Sequence, residues 1–217
     1  HPQSIAILQP IIESSPDNMT YRTMLMRAYS RSSRIKEMRT LLTTTDKHFR
    51  QQGRWTEANI ANLALCCLQI DLFSESVGYY NEVIALHQRR NSNVGIGSGA
   101  LSGYYDYQSQ AYTGLGQTIK AVDAAAAGFI ATRARYGNTM SSPHRIDSAL
   151  FAAKDLDDYV NYLDKQVATT GQDSPLIRPR LGRVFASRQK HAEAVVQLRR
   201  AVEPPATAGE APDPRTQ

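Results

Sequence analysis

Three groups of residues in this sequence have the types that chemistry requires, and each is weighed against its surroundings. Gly95, Gly97 and Ala100 stand at the G-x-G-x-x-[GA] spacing that lets a backbone approach a pyrophosphate. That chemistry needs a strand running into a helix, whereas residues 89–94 are polar with no strand-like alternation, so this stretch reads as a connection. Asp155, Asp157 and Asp158 bring three carboxylates together, but without the ligand series and bidentate Glu of a calcium loop they read as the acidic start of a helix. His1, His48, His87, His144 and His191 fall at no zinc-gripping spacing to one another or to Cys66 and Cys67, so surface or helix-end positions are expected. There is no G-x-S-x-G elbow, no Gly-Lys-Ser/Thr phosphate loop and no H-E-x-x-H helix. No cofactor, no metal and no enzymatic activity are expected on these grounds.

What remains with chemical potential is arginine. Arg22, Arg27, Arg31, Arg34, Lys36 and Arg39 cluster near the start, and Arg178, Arg180, Arg183, Arg188, Lys190, Arg199 and Arg200 near the end. Guanidinium groups make bidentate contacts to carboxylates and phosphates, which admits an acidic protein partner and, as the alternative, nucleic acid. The net charge of +5 on 217 residues is modest, and one Trp with few other aromatics provides no base-stacking platform, so a nucleic-acid partner is disfavoured. Cys66 and Cys67 are neighbours in an apolar run and read as two buried reduced thiols, which inclines weakly towards a reducing compartment such as the cytoplasm. No apolar run approaches membrane-spanning length.

The elements that must position these residues are helices. Segments 21–42, 58–86, 104–134, 146–167 and 181–202 carry apolar residues at helical spacing, and each has a polar or Gly-bearing break near its middle. Each is expected to form a helical hairpin. Five residues mark a common register: Tyr29, Cys67, Tyr112, Leu150 and Phe185, each followed nine positions later by Met38, Ser76, Ala121, Tyr159 and Ala194. Two antiparallel helices close only where a small side chain faces a large one, and this pairing is what such a register supplies.

The last hairpin, with Leu181-Gly182, Phe185, Ala194, Leu198, Ala201 and a closing Pro204-Pro205, resembles the tetratricopeptide repeat, and Tyr112, Gly116, Ala121 and Ala125 repeat the pattern in the third. The resemblance implies an all-α, right-handed superhelix (solenoid) of antiparallel helical hairpins. Its expected divisions are a truncated first repeat over 1–18, hairpins at about 19–50, 57–91, 102–137, 140–173 and 175–205, and a disordered tail or linker over 206–217. The chain begins at His1 and is expected to start mid-repeat in a longer protein. Pro10 is expected to leave the first element short or kinked. Successive register residues lie 38, 45, 38 and 35 apart, longer than the family's unit of about 34, with the greatest extension expected around 90–102. Bulky Met38 and Tyr159, in slots the family keeps small, imply irregular crossings.

The same resemblance implies a protein-protein interaction scaffold that binds a peptide or partner helix in a concave groove lined by the first helix of each hairpin. Carried over slot by slot, the groove candidates are Thr23, Arg27, Arg31, Gln69, Asp106, Gln110, His144, Phe151 and Arg183. The Lys and Asn by which chaperone-tail receptors clamp a carboxylate are replaced by Thr23 and Arg27, which argues against that specialisation.

Overall fold

A computed structural model of the chain describes residues 2–90, 99–136 and 143–202. Among these there is no strand, and the elements are eleven α-helices: α1 (Pro2–Ser14), α2 (Met19–Arg31), α3 (Ile35–Gln51), α4 (Glu57–Gln69), α5 (Phe73–Arg90), α6 (Gly99–Gly114), α7 (Thr118–Tyr136), α8 (His144–Ala152), α9 (Asp157–Thr170), α10 (Arg178–Ser187) and α11 (His191–Val202). After α1 they run as five successive helical hairpins. The expected tail at 206–217 and Gly95 and Gly97 of the glycine motif lie outside the described residues. No described helix is long and apolar enough to cross a membrane.

Why the hairpins close is visible at their turns. In four of them a three-residue connection puts its middle residue in the left-handed region: Ser33 (φ 55°), Asp71 (φ 59°), Gly116 (φ 69°) and Gln189 (φ 61°). The next amide then reaches back over the helix end: Arg34 N–H donates to Tyr29 O, Leu72 to Cys67, Gln117 to Tyr112 and Lys190 to Phe185, all at 2.9–3.0 Å. The acceptors are four of the five register residues of the sequence, so one six-residue closure both ends the first helix and sets the pairing of the second. Nine residues after each acceptor, Met38, Ser76, Ala121 and Ala194 are buried where the two helices meet. In the fifth hairpin a Cβ added at Gly182 would come within 2.6 Å of Leu198 Cγ, which is why that approach needs glycine. In the second and third the close crossing is pinned by a hydroxyl: Ser76 Oγ donates to Ala64 O at 3.0 Å, and Ser109 Oγ to Ala121 O at 2.7 Å. The donor has changed helix, but the crossing is the same.

The fourth hairpin departs from this plan. Its connection, 153–156, has one residue more and begins with Ala153 in an extended conformation (φ −60°, ψ 129°). Tyr159 fills the slot that alanine holds in the third and fifth hairpins, and no Cα of α8 comes within 8 Å of one in α9. The displaced α9 packs instead toward α7, where Tyr162 Oη donates to Asp123. Between the α6–α7 turn and the start of α9 this leaves a hollow of about 600 Å³, lined by Ile119, Lys120, Lys154 and Tyr159 among others. The carbonyls at the end of α8 are met by the next hairpin, since Arg188 Nη2 donates to Phe151 O at 3.2 Å and Ala153 O at 2.6 Å.

Three buried clusters follow one another along the chain: one built on α1 to α4, one joining α4, α5 and α6, and one running from α7 to α11. This near-linear succession of cores is what a stack of hairpins produces. The first element is not short: α1 runs for thirteen residues through Pro10. Pro10 forgoes the backbone bond to the Ala6 carbonyl, but both residues lie on the exposed side, where water replaces the missing donor.

Candidate functional site

The first helices of the hairpins, α2, α4, α6, α8 and α10, each lie beside the next and form a continuous row. Local capping fixes where two of them start: Asn18 Oδ1 accepts from Tyr21 N–H at 3.2 Å at the head of α2, and Thr56 does the same for Asn59 N–H at 3.4 Å in α4. At α9, Asp155 accepts from Asp157 N–H at 2.8 Å, so the acidic triplet serves the helix start.

The row sorts the nine groove candidates. Thr23 is buried, its hydroxyl donating to Thr20 O at 2.9 Å and its carbonyl receiving the Cys66 thiol at 3.5 Å, so its side chain lies in the core. The register assigned it to the groove, yet α2 carries α1 on one side and α4 on the other, which covers that position. Arg27 and Gln69 are brought together across the first two hairpins, with Arg27 Nε donating to Gln69 Oε1 at 2.7 Å. Arg31 is exposed at the end of α2. Gln110 turns its amide back onto Asp106 O at 3.3 Å. Phe151 stands 53 % exposed near the end of α8, and Arg183 is exposed with Nη2 3.3 Å from Asp147.

Asp106 and His144 line one cavity of about 200 Å³ between α6, α7 and the start of α8, together with Ala125, Phe129, Thr132 and Arg145. Burial pushes the Asp106 carboxyl above its ordinary pKa, against the opposing pull of Arg145 and His144. Arg145 was missed by the sequence reading. It sits one position beyond the groove slot of His144 and lines the same cavity. Burial likewise raises the Cys66 thiol to about 11 and raises Cys67 further, which keeps both as unreactive core residues.

Most of the two basic clusters is committed within the protein. Arg22 is buried, donating to Pro16 O at 2.8 Å and Thr45 Oγ1 at 3.3 Å. Arg178, 1 % exposed, holds Asp173, Asp164 and Gln197 at 2.7–2.8 Å and so ties α9, α10 and α11 together. Arg34 pairs with Glu37, Arg39 with Glu75 and Arg200 with Asp164. Of the histidines, His48 pairs with Asp17 at 2.8 Å, while His87, in the last turn of α5, is buried against Glu57 at 2.7 Å. Among the described residues no three His, Cys, Asp or Glu side chains gather as metal ligands would.

No protein-family profile matches the chain, and no curated protein does. Among solved structures it is similar to the nearly identical TPR-like repeats of a putative kinesin light chain from Podosopora anserina. One crystal structure of these is 17% identical and covers 84% of this chain and 92% of that one, with a TM-score of 0.49. A second is 19% identical over 83% and 93%, with a TM-score of 0.47.

Proposed function

We propose that this chain is a non-enzymatic scaffold that receives a peptide or partner helix along the row α2–α4–α6–α8–α10. The observation that carries this reading is the row itself: five first helices side by side, with Arg27, Arg31, Phe151 and Arg183 at least partly exposed along it. Stacked hairpins offer such a surface without further folding, so a partner binds without the entropy loss of ordering the receptor. Arginines lie at both ends of the row, and of these Arg31 has no ion pair among the described residues. That distribution favours a partner with acidic residues near both ends.

The test is capture of acidic peptides by the native chain and by a variant with Arg27, Arg31 and Arg183 all replaced by Ala. Capture is expected to fall at least tenfold, the loss of two or three charge-assisted contacts, while the far-ultraviolet helical signal is unchanged. Undiminished capture by the variant overturns the assignment of these arginines.

Nucleic acid is the weaker reading, because Arg22, Arg178, Arg34, Arg39 and Arg200 are already engaged by protein groups. Retention of generic RNA is expected to vanish near physiological salt, where counterion release no longer drives it.

A further inference from the structure

The cavity between α6, α7 and α8 holds two charged groups that the rest of the molecule does not use. Asp106 reaches it from α6 and Arg145 from α8. No ion pair joins them, and neither side chain makes a hydrogen bond among the described residues. Arg145 lines the cavity with its Nε walled off and without an acceptor, so the rest of its guanidinium is what an occupant can meet. The Asp106 carboxylate lies over the bare backbone of Gly128, where an added Cβ would come within 2.8 Å of Oδ1. Ala125, Phe129 and Ile146 supply apolar wall.

The two charges select the occupant. A lysine or arginine side chain would satisfy Asp106 and meet the Arg145 guanidinium. An aspartate or glutamate would satisfy Arg145 and bring a second carboxylate beside Asp106. A neutral carboxamide carries an acceptor oxygen and a donor NH₂ in one plane and completes both. A peptide main chain has the same groups, but a cavity of about 200 Å³ between three helices has room for the end of a side chain rather than for a chain passing through.

We infer that this cavity is a specificity pocket for an asparagine or glutamine side chain of a bound peptide, with the Arg145 guanidinium donating to the amide oxygen and Asp106 accepting from the amide NH₂. The inference rests on the peptide-binding reading of the row and names what its middle selects.

Panning a random-peptide library against the native chain tests it. Recovered peptides are expected to share an Asn or Gln at one position, and replacing that residue by Leu is expected to weaken binding roughly ten- to a hundredfold, as loss of hydrogen bonds to charged groups does. Asp106→Ala and Arg145→Met are each expected to erase the preference. Should either variant fail to fold by circular dichroism, the native chain still decides: versions of one recovered peptide with Asn, Asp, Lys or Leu at the shared position are expected to rank Asn first. Asp first would mean that Arg145 acts alone, Lys first that Asp106 does, and either overturns the inference. Peptides recovered without a shared carboxamide overturn the pocket and leave the row standing. Recovery of no peptide overturns both.

Discussion

Ser33, Asp71 and Gln189 hold positive φ at the turn where Gly116 does the same in the third hairpin. A side chain in that region costs about 1 kcal/mol relative to glycine, less for Asp, whose short polar group tolerates it. Ser33→Gly and Gln189→Gly are therefore each expected to raise unfolding stability by roughly 0.5–1 kcal/mol, and Gly116→Ala to lower it by about the same. Nothing lies within 4 Å of a Cβ built at Gly116, so its change isolates backbone strain from packing. Denaturant midpoints check all three, and a Gly116→Ala midpoint at or above the parent's would contradict the turn assignment. At this scale the sequence was partly legible. Gly116 announced a turn, but Ser33 and Gln189 did not, because serine and glutamine carry no preference for positive φ and are driven there by the helices they join.

At the scale of the helix pair, legibility followed the gap of nine. Where a small residue ended that gap, as at Ser76, Ala121 and Ala194, the residues alone indicated both the hairpin and its close crossing, since only one register lets two helices approach. Ala121→Trp and Ala194→Trp are accordingly expected to destabilise by about 1–3 kcal/mol or more, whereas Ala85→Trp, on the exposed side of α5, should stay within about 0.5 kcal/mol of the parent. Equal midpoints for all three would place the register elsewhere. Tyr159 shows where that reading stops. A bulky residue in the small slot did not separate α2 from α3, where Met38 is buried between them, and Tyr159 does not reveal that α9 turns to Asp123 on α7, which depends on Tyr162 and on the longer turn before it. The groove assignments suffered similarly. Slots count positions along one helix, while burial of Thr23 and the inward turn of Arg145 depend on which neighbours flank that helix.

Across the whole molecule, cores that follow one another make each hairpin depend chiefly on those beside it, so the chain need not open all at once. Between the fourth and fifth hairpins that dependence is strongest, since the Arg188 guanidinium lies over the last carbonyls of α8 and Arg178 holds Asp164 of α9. The fourth hairpin has no clasp of its own and borrows one from the fifth, so these two form a single cooperative unit at one end of an otherwise modular array. Amide hydrogen exchange makes this visible: α8 and α10 are expected to share one opening free energy, distinct from that of α2 and α4. Arg188→Ala is expected to lower protection in α8 by about 0.5–1.5 kcal/mol, the net worth of hydrogen bonds at a partly exposed helix end, and to leave α4 unchanged. A loss spread evenly over every helix would mean that the array melts as one body. Protection retained in α8 would mean that its end is held by something other than Arg188.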